Sequence, residues 1–342
     1  DPLVLAIKMT LYRTADSNPI ITALARAAEN GKEVTALVEL QARLDEENNI
    51  DKARMLQKAG VHVVYGIVGL KTHCKAALVV RREHDGIRRY LHLSTGNYNH
   101  TTARFYTDLS FFTCKPEFGE DASSLFNMLT GHSQGGPWNK LIPAPIFLAD
   151  RLTAFIRRER DHALAGRPAR IIAKMNSLVD PGIIAELYDA SQAGVRIDLI
   201  VRGICCLRPG VPGVSENIRV ISIVDKYLEH SRITYFQNDD EPQVFLASAD
   251  WMPRNFRRRV ELMFPIEDPE LRHRIVDGIL GVVLSDNVKA RVLQPDGTYR
   301  RVAPPRSGEP VIRSQIEFQN MAREFSETRP IAQTSGSGVS VS

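Results

Sequence analysis

Short apolar runs alternate with longer amphipathic stretches along most of the chain, the pattern of strands exchanging with helices. Leu3 to Met9 reads as a strand followed by a turn. Asn18 can then cap a helix with Pro19 at its first position; Ile20, Ile21, Leu24, Ala27 and Ala28 make its apolar stripe, and Gly31 ends it. The same grammar returns in the second half. Ala173-Lys174-Met175-Asn176 resembles Ala6-Ile7-Lys8-Met9-Thr10, Asp180-Pro181 opens a helix, Ile183, Ile184 and Leu187 give the stripe, and Gly194 closes it. Each helix runs into a short apolar segment, Val34 to Leu40 and Val195 to Val201, of the length of a buried parallel strand. Further strands are predicted at Val61 to Tyr65, Ala76 to Val80, Tyr90 to Leu93, Arg219 to Ile223, Ile233 to Phe236 and Val244 to Ser248. The chain therefore reads as α/β: two related domains, each a mixed, mostly parallel sheet covered by helices.

Gly and Pro interrupt every period between Gly135 and Pro145, which divides the chain into residues 1–140 and 141–324, and the amphipathic stretch Phe147 to Leu164 opens the second domain. Residues 325–342 turn to Ser, Thr, Gly and Pro and are expected to be a disordered tail. The length of 342 residues with 43% hydrophobic and 25% charged content suits a soluble protein of two domains. No apolar run approaches the roughly 20 residues that cross a bilayer, and the start lacks a signal-like stretch, so a cytoplasmic location is expected. Asp1 is not an initiator Met and leads straight into a strand, which reads as a segment of a longer chain. A net charge of +4 is too mild for general polyanion coating, so only clustered cations could focus a local field. The cysteines Cys74, Cys114, Cys205 and Cys206 have neither a disulfide-framework nor a zinc spacing and are expected to be reduced thiols.

The chemistry concentrates in a repeated motif. His73-Cys74-Lys75 and His230-Ser231-Arg232 each set a basic residue two positions after a histidine, which on a strand puts both on one face. An imidazole beside a fixed cation suits phosphate chemistry: the cation holds an anionic substrate and lowers the imidazole pKa, leaving a nitrogen free to attack. A lone histidine is more often structural, but the duplication favours a shared site. Each motif is followed, one strand later, by a small polar turn able to offer backbone donors to phosphate: Ser94-Thr95-Gly96-Asn97 and Ser248-Ala249-Asp250. Other charged runs have the plain reading. Arg157-Arg158-Glu159-Arg160 is expected on the solvated face of a helix and Arg257-Arg258-Arg259 in a solvated cluster, while the consecutive acids Asp45-Glu46-Glu47 do not converge on a metal ion.

The two-copy pattern resembles the phospholipase D superfamily, whose usual motif places an Asp five residues after the Lys; Val80 and Gln237 stand there instead, which speaks against ordinary phosphodiesterase chemistry. The segments Thr10-Leu11-Tyr12-Arg13, Glu39-Leu40-Gln41-Ala42-Arg43, Gly69-Leu70-Lys71-Thr72-His73, Ser94 to Asn99, Arg202 to Gly210 and Asp250 to Asn255 resemble the C-terminal catalytic domains of the polyphosphate kinase family. That resemblance implies reversible transfer of the ATP terminal phosphoryl group to inorganic polyphosphate through a phosphohistidine at His73. His230 would lie across the site as a nucleotide contact and general acid. Tyr106 and Arg202 match ATP-binding positions of the family. Arg13 and Arg43 match its magnesium-site positions and are read as phosphate contacts near the ion, because guanidinium offers only donors. Lys71, Lys75, Arg208, Arg232, Arg254 and Asn97 are candidate phosphate or polyphosphate contacts. Tyr98 and Trp251 could stack on adenine but are read first as packing residues. The resemblance further implies Mg2+ as cofactor, ATP/ADP and polyphosphate as partners with no nucleic acid, a homo-oligomer at full length, and room for membrane association. The competing readings are a phosphodiesterase of lipid or nucleic acid and an inactive polyanion-binding fragment.

Overall fold

The computed structural model describes residues 1–11, 18–39, 46–131, 136–303 and 306–328. The first half begins β1 (Val4–Leu11), α1 (Pro19–Glu29), β2 (Glu33–Val38), α2 (Glu46–Lys58) and β3 (His62–Val64), then continues β4 (Lys71–Thr72), β5 (Lys75–Glu83), β6 (Gly86–Ser94), β7 (Tyr106–Thr107), β8 (Ser110–Thr113) and α3 (Pro116–Leu129). Asn18 caps α1 as its sequence predicts, its Oδ1 accepting from Ile20 N at 3.0 Å, and Gly31 leaves the helix at φ +79°. The sheet order is β3-β2-β1-β5-β6-β8. β1, β2 and β3 run parallel because helices cross between them, whereas β5, β6 and β8 are antiparallel.

The second half comprises β9 (Ile142–Ala144), α4 (Leu148–Leu164), β10 (Arg170–Met175), α5 (Pro181–Gln192), β11 (Arg196–Val201), β12 (Ile218–Ile223), β13 (Leu228–Glu229), β14 (Arg232–Phe236), β15 (Gln243–Ala247), α6 (Pro253–Arg257) and β16 (Arg259–Pro265). After α7 (Pro269–His273), a π-helical stretch (Arg274–Gly281) and α8 (Val282–Leu284) come β17 (Ala290–Leu293), β18 (Tyr299–Arg301) and α9 (Ser314–Thr328). Asp180 caps α5 through Gly182 N and Ile183 N at 3.0 and 3.1 Å. β10, β11 and β12 are parallel, repeating the first half, and β14, β15 and β16 add antiparallel lanes.

The mixed α/β class is as expected, but "mostly parallel" is not: in both sheets the antiparallel pairings among the described strands outnumber the parallel ones. Helices α1, α2 and α5 cover three of the parallel crossovers, β11 reaches β12 in parallel through a loop, and the turns β5–β6 and β14–β15 reverse the chain. The run Arg157 to Arg160 also departs from its expected solvated face. Glu159 is fully buried, its carboxylate accepting from the backbone N–H of Arg170 and Asn238 at 3.1 and 2.9 Å. Helix α9 extends to Thr328, past the expected start of the tail at residue 325; residues 329–342, like Gly135, lie outside the described residues.

One apolar core spans both halves. Leu91, Leu93, Phe118 and Phe126 of the first share it with Ile172, Ile233 and Phe264 of the second. Each such side chain contributes roughly 1.5–3 kcal/mol on burial, so the halves are held as one body. Two short strands then cross between them. β4 pairs in parallel with β16 of the other half, Lys71 opposite Arg259 and Thr72 opposite Val260, and β13 pairs with β7, Leu228 opposite Tyr106 and Glu229 opposite Thr107. β4 leads directly to His73 and β13 directly to His230. The repeated histidines therefore sit at the two places where the halves are stitched together.

Candidate functional site

The backbone at His73 is held by the opposite half: His73 N and Cys74 N both donate to Val260 O at 2.9 Å. Its ring meets Glu261, fully buried on β16, with Nδ1 2.9 Å from Oε2. An ionised carboxylate has no proton to give, so we assign the hydrogen to Nδ1, which leaves Nε2 with a lone pair. Glu261 is itself held by Ser248 Oγ on Oε2 and by Asn255 Nδ2 on Oε1 at 2.6 Å, with Arg259 3.7 Å away. Lys75 Nζ lies 3.1 Å from His73 Nδ1 and donates to the His73 carbonyl. Burial is the main force driving the His73 imidazole down to about 3; Glu261 opposes it, and the cations of Lys75 and Arg259 assist. Burial likewise pushes Lys75 down to about 7, against Glu261 and with help from Arg232.

His230 repeats the arrangement with the roles of the halves exchanged. Its Nδ1 lies 2.8 and 2.9 Å from the two carboxylate oxygens of Asp108, a residue of the first half that also accepts from Thr95 Oγ1 at 2.7 Å. Arg232 Nη1 approaches His230 Nε2 at 3.1 Å and donates to Thr95 O at 3.3 Å. The other nitrogens of Arg232 pair with Asp250 at 3.2 Å. Burial first, with the Arg232 and Lys75 charges, lowers His230 to about 4 against the Asp108 hydrogen bond. Each imidazole is thus neutral at physiological pH, oriented by a carboxylate from the opposite half, fully buried for Glu261 and partly exposed for Asp108, and flanked by a basic side chain. The two motifs also share one field: Lys75 acts on His230, and Arg232 and Asp108 act on Lys75.

Of the predicted site residues, Tyr106 joins this neighbourhood with its ring centroid 4.9 Å from that of His230. Arg202 joins through Nε, which donates to Asn176 Oδ1 at 2.9 Å and to Glu229 O at 3.0 Å. Lys71 is half-buried on β4 beside the histidine. The Oδ1 of Asn97 is buried without a hydrogen-bond partner, as is the hydroxyl of Thr72. Arg254 is exposed on α6. Arg208, exposed, donates through Nε and Nη2 to Pro295 O at 2.8 and 2.6 Å. Arg13 and Arg43 lie outside the described residues. Tyr98 and Trp251 are packing residues, Tyr98 bonded through its hydroxyl to His92 at 2.8 Å and Trp251 buried in the core under α4 and α5.

Sequence reasoning missed Glu261, Asp108, Asp250, Asn176 and Arg259, the groups that orient the motif residues. Asp250 alone was inside a singled-out turn; it is held down to about 2 by Arg232, with backbone and side-chain bonds from Asn176, although burial opposes this. The carboxylates near the histidines are each occupied by a histidine, an arginine or a hydroxyl. Among the described residues no three His, Cys, Asp or Glu converge to hold a metal. This donor set does not fit a magnesium cage built by protein alone; Mg2+ commonly relies on substrate phosphates and water instead. Among the described residues no helix is long and apolar enough to cross a membrane, and the four cysteines are unpaired.

Comparison with known proteins agrees with this geometry. The chain is similar to polyphosphate kinases of Synechocystis sp. (60% identity over 90% of this chain and 43% of that protein) and Thermosynechococcus vestitus (58% over 89% and 41%). It thus spans less than half the length of these curated relatives. The crystal structure of polyphosphate kinase from Porphyromonas gingivalis superposes with a TM-score of 0.88 at 39% identity, over 96% of this chain and 50% of that one. Phosphatidylserine synthase from Haemophilus influenzae, at 11% identity and a TM-score of 0.57 over 95% of this chain and 89% of that one, shares the fold alone. The model of polyphosphate kinase C-terminal domain 1 matches residues 1–135 and that of C-terminal domain 2 matches residues 141–315. Matched along nearly all of its described length, the chain belongs to the polyphosphate kinase family.

Proposed function

We propose that the chain is the catalytic part of a reversible phosphotransferase that moves the terminal phosphoryl group of ATP to inorganic polyphosphate through a phosphohistidine at His73. In the first step Nε2 of His73 attacks the γ-phosphorus; the P–N bond forms, the bond to the β–γ bridging oxygen breaks, and ADP leaves with that oxygen and the electron pair. In the second a terminal oxygen of polyphosphate attacks the same phosphorus, the P–N bond breaks, and the chain is one phosphate longer. The observation that carries this reading is the buried Glu261 on Nδ1, 2.9 Å away, which dictates the tautomer that leaves Nε2 nucleophilic. Glu261 also stabilises the positive charge that the ring gains as the P–N bond forms.

The cations serve a reaction that depends on alignment and charge neutralisation more than on covalent help. Lys75 and Arg232 would hold phosphate oxygens, and Tyr106 and Arg202 would hold the nucleotide near His230. His230 is neutral when the site is empty, so its role as general acid requires that bound phosphate raise its pKa. Magnesium would enter on the phosphates of ATP. A cytoplasmic location follows from ATP as donor, and homo-oligomeric assembly remains an expectation of the family. The phosphodiesterase reading lacks the motif carboxylates at Val80 and Gln237. Exposure to γ-labelled ATP should leave acid-labile, base-stable label on the protein and none on His73→Ala. Undiminished labelling of His73→Ala would show that the nucleophile lies elsewhere.

A further inference from the structure

The second stitching strand, β13, is gripped from outside the site by the first turn of α9. Gln315 is 3% exposed and spends its whole amide on this grip. Its Nε2 donates to Tyr227 O at 2.9 Å and to Glu229 Oε1 at 2.7 Å, and its Oε1 accepts from Tyr227 N at 2.8 Å. The flanking residues reinforce it. Arg313 pairs through Nε and Nη2 with both oxygens of Asp225 at 2.8 and 2.6 Å, and Gln319 donates to the Tyr227 hydroxyl at 2.9 Å.

Glu229 is the node to which the nucleotide-side groups are tied. Its carbonyl accepts from Arg202, its carboxylate accepts from Thr107 Oγ1 at 3.2 Å and faces Lys174 Nζ at 3.1 Å, and the next residue is His230. Its neighbour Leu228 pairs with Tyr106 across the β7–β13 ladder. Three side chains that would meet ATP are therefore referenced to one two-residue strand, and Gln315 clamps that strand to α9. We infer that Gln315 is a positioning residue that sets Tyr106, Arg202 and His230 for the nucleotide without touching it. This inference rests on the proposed phosphotransfer reading, since it assigns ATP to that side of the site.

The test uses the chain as naturally produced, with Gln315→Ala and Gln315→Glu, and reads ATP affinity by calorimetry together with KM and kcat. Losing a hydrogen bond to a buried carboxylate should weaken ATP binding roughly tenfold in Gln315→Ala and raise KM more than it lowers kcat, with the polyphosphate KM little changed. A merely structural role would instead reduce the folded fraction and kcat and leave KM alone. Gln315→Glu adds a pH signature. At neutral pH it sets a second carboxylate against Glu229, whose carboxylate faces Lys174 and whose carbonyl holds Arg202, with Asp108 and Arg232 beyond Lys174. On acidification a proton shared by the two carboxyls restores the donor, so the variant's ATP affinity should recover towards the parent's as pH falls, while that of Gln315→Ala should not. An ATP affinity of Gln315→Ala within about twofold of the parent, or no acid recovery in Gln315→Glu, overturns the inference. Failure of the parent to label at His73 would instead count against the phosphotransfer reading, and the affinity comparison would still decide the role of Gln315.

Discussion

Replacing Glu261 with Gln removes one charge and changes almost no volume, yet it should invert the tautomer of His73. Asn255 Nδ2 donates to Oε1 at 2.6 Å and the Arg259 guanidinium, which can only donate, approaches the same oxygen, whereas the Ser248 hydroxyl on Oε2 can turn to accept, so the amide oxygen of the variant should occupy the Oε1 position. The amide NH2 then faces His73 Nδ1, where a donor must meet an acceptor. The imidazole proton is driven to Nε2, the nitrogen that the proposed mechanism requires to attack. A hydrogen bond to a charged group contributes roughly 1.5–3 kcal/mol, or about 10- to 150-fold in rate, and the tautomer change places the expected loss near the upper end. The measurement is rapid-quench single-turnover labelling with γ-labelled ATP, alongside ¹⁵N chemical shifts of the His73 ring. Labelling within about twofold of the parent rate, or an Nδ1-protonated ring in the variant, would refute the argument.

Lys75, depressed by burial to about 7, is largely neutral at pH 8 in the empty site. A polyanionic triphosphate favours the ammonium form and raises that pKa, so ATP binding at pH 8 should take up a fraction of a proton. Calorimetry in buffers of different ionisation enthalpy should detect this uptake and its loss in Lys75→Met; equal enthalpies across buffers would contradict it. Because the folded value lies below the unfolded one, Lys75 also contributes stability that is complete above its ordinary pKa and is lost as pH falls through about 7. In the shared core, Phe118 is 1% exposed, and Phe118→Ala should cost about 3–5 kcal/mol in urea unfolding; a loss below about 1 kcal/mol would mean the site can collapse around the gap.

The duplicated strand-helix-strand units were legible because local chemistry writes them: Asn18-Pro19 and Asp180-Pro181 are caps that declare a helix start whatever surrounds them. The histidine motifs were legible for a similar reason, since the two-residue spacing is itself the geometry. Their carboxylates were not. Glu261 is 188 positions from His73 and Asp108 is 122 from His230, and nothing local to a glutamate on a strand says which imidazole it will face. Strand direction is partly written in the turns. Asp85-Gly86 between two apolar runs is a hairpin signal, and Gly86 does take φ +131° there. Similarly, Asn238, Asp239 and Asp240 all adopt positive φ where β14 turns back into β15. These turns account for two of the observed reversals, β5 into β6 and β14 into β15.

The exchange of β4 has a consequence for how this polypeptide can be cut or copied. Residues 71 and 72 complete a lane in a sheet whose other strands all come from beyond residue 140, so severing the chain near residue 137 would yield two pieces that each lack something. The downstream piece would expose part of the flank of β16, and the upstream piece would carry an unpaired segment leading to His73. The duplication visible in the sequence is therefore no longer modular: neither repeat can be transplanted, swapped or lost without removing the groups that hold the other's histidine.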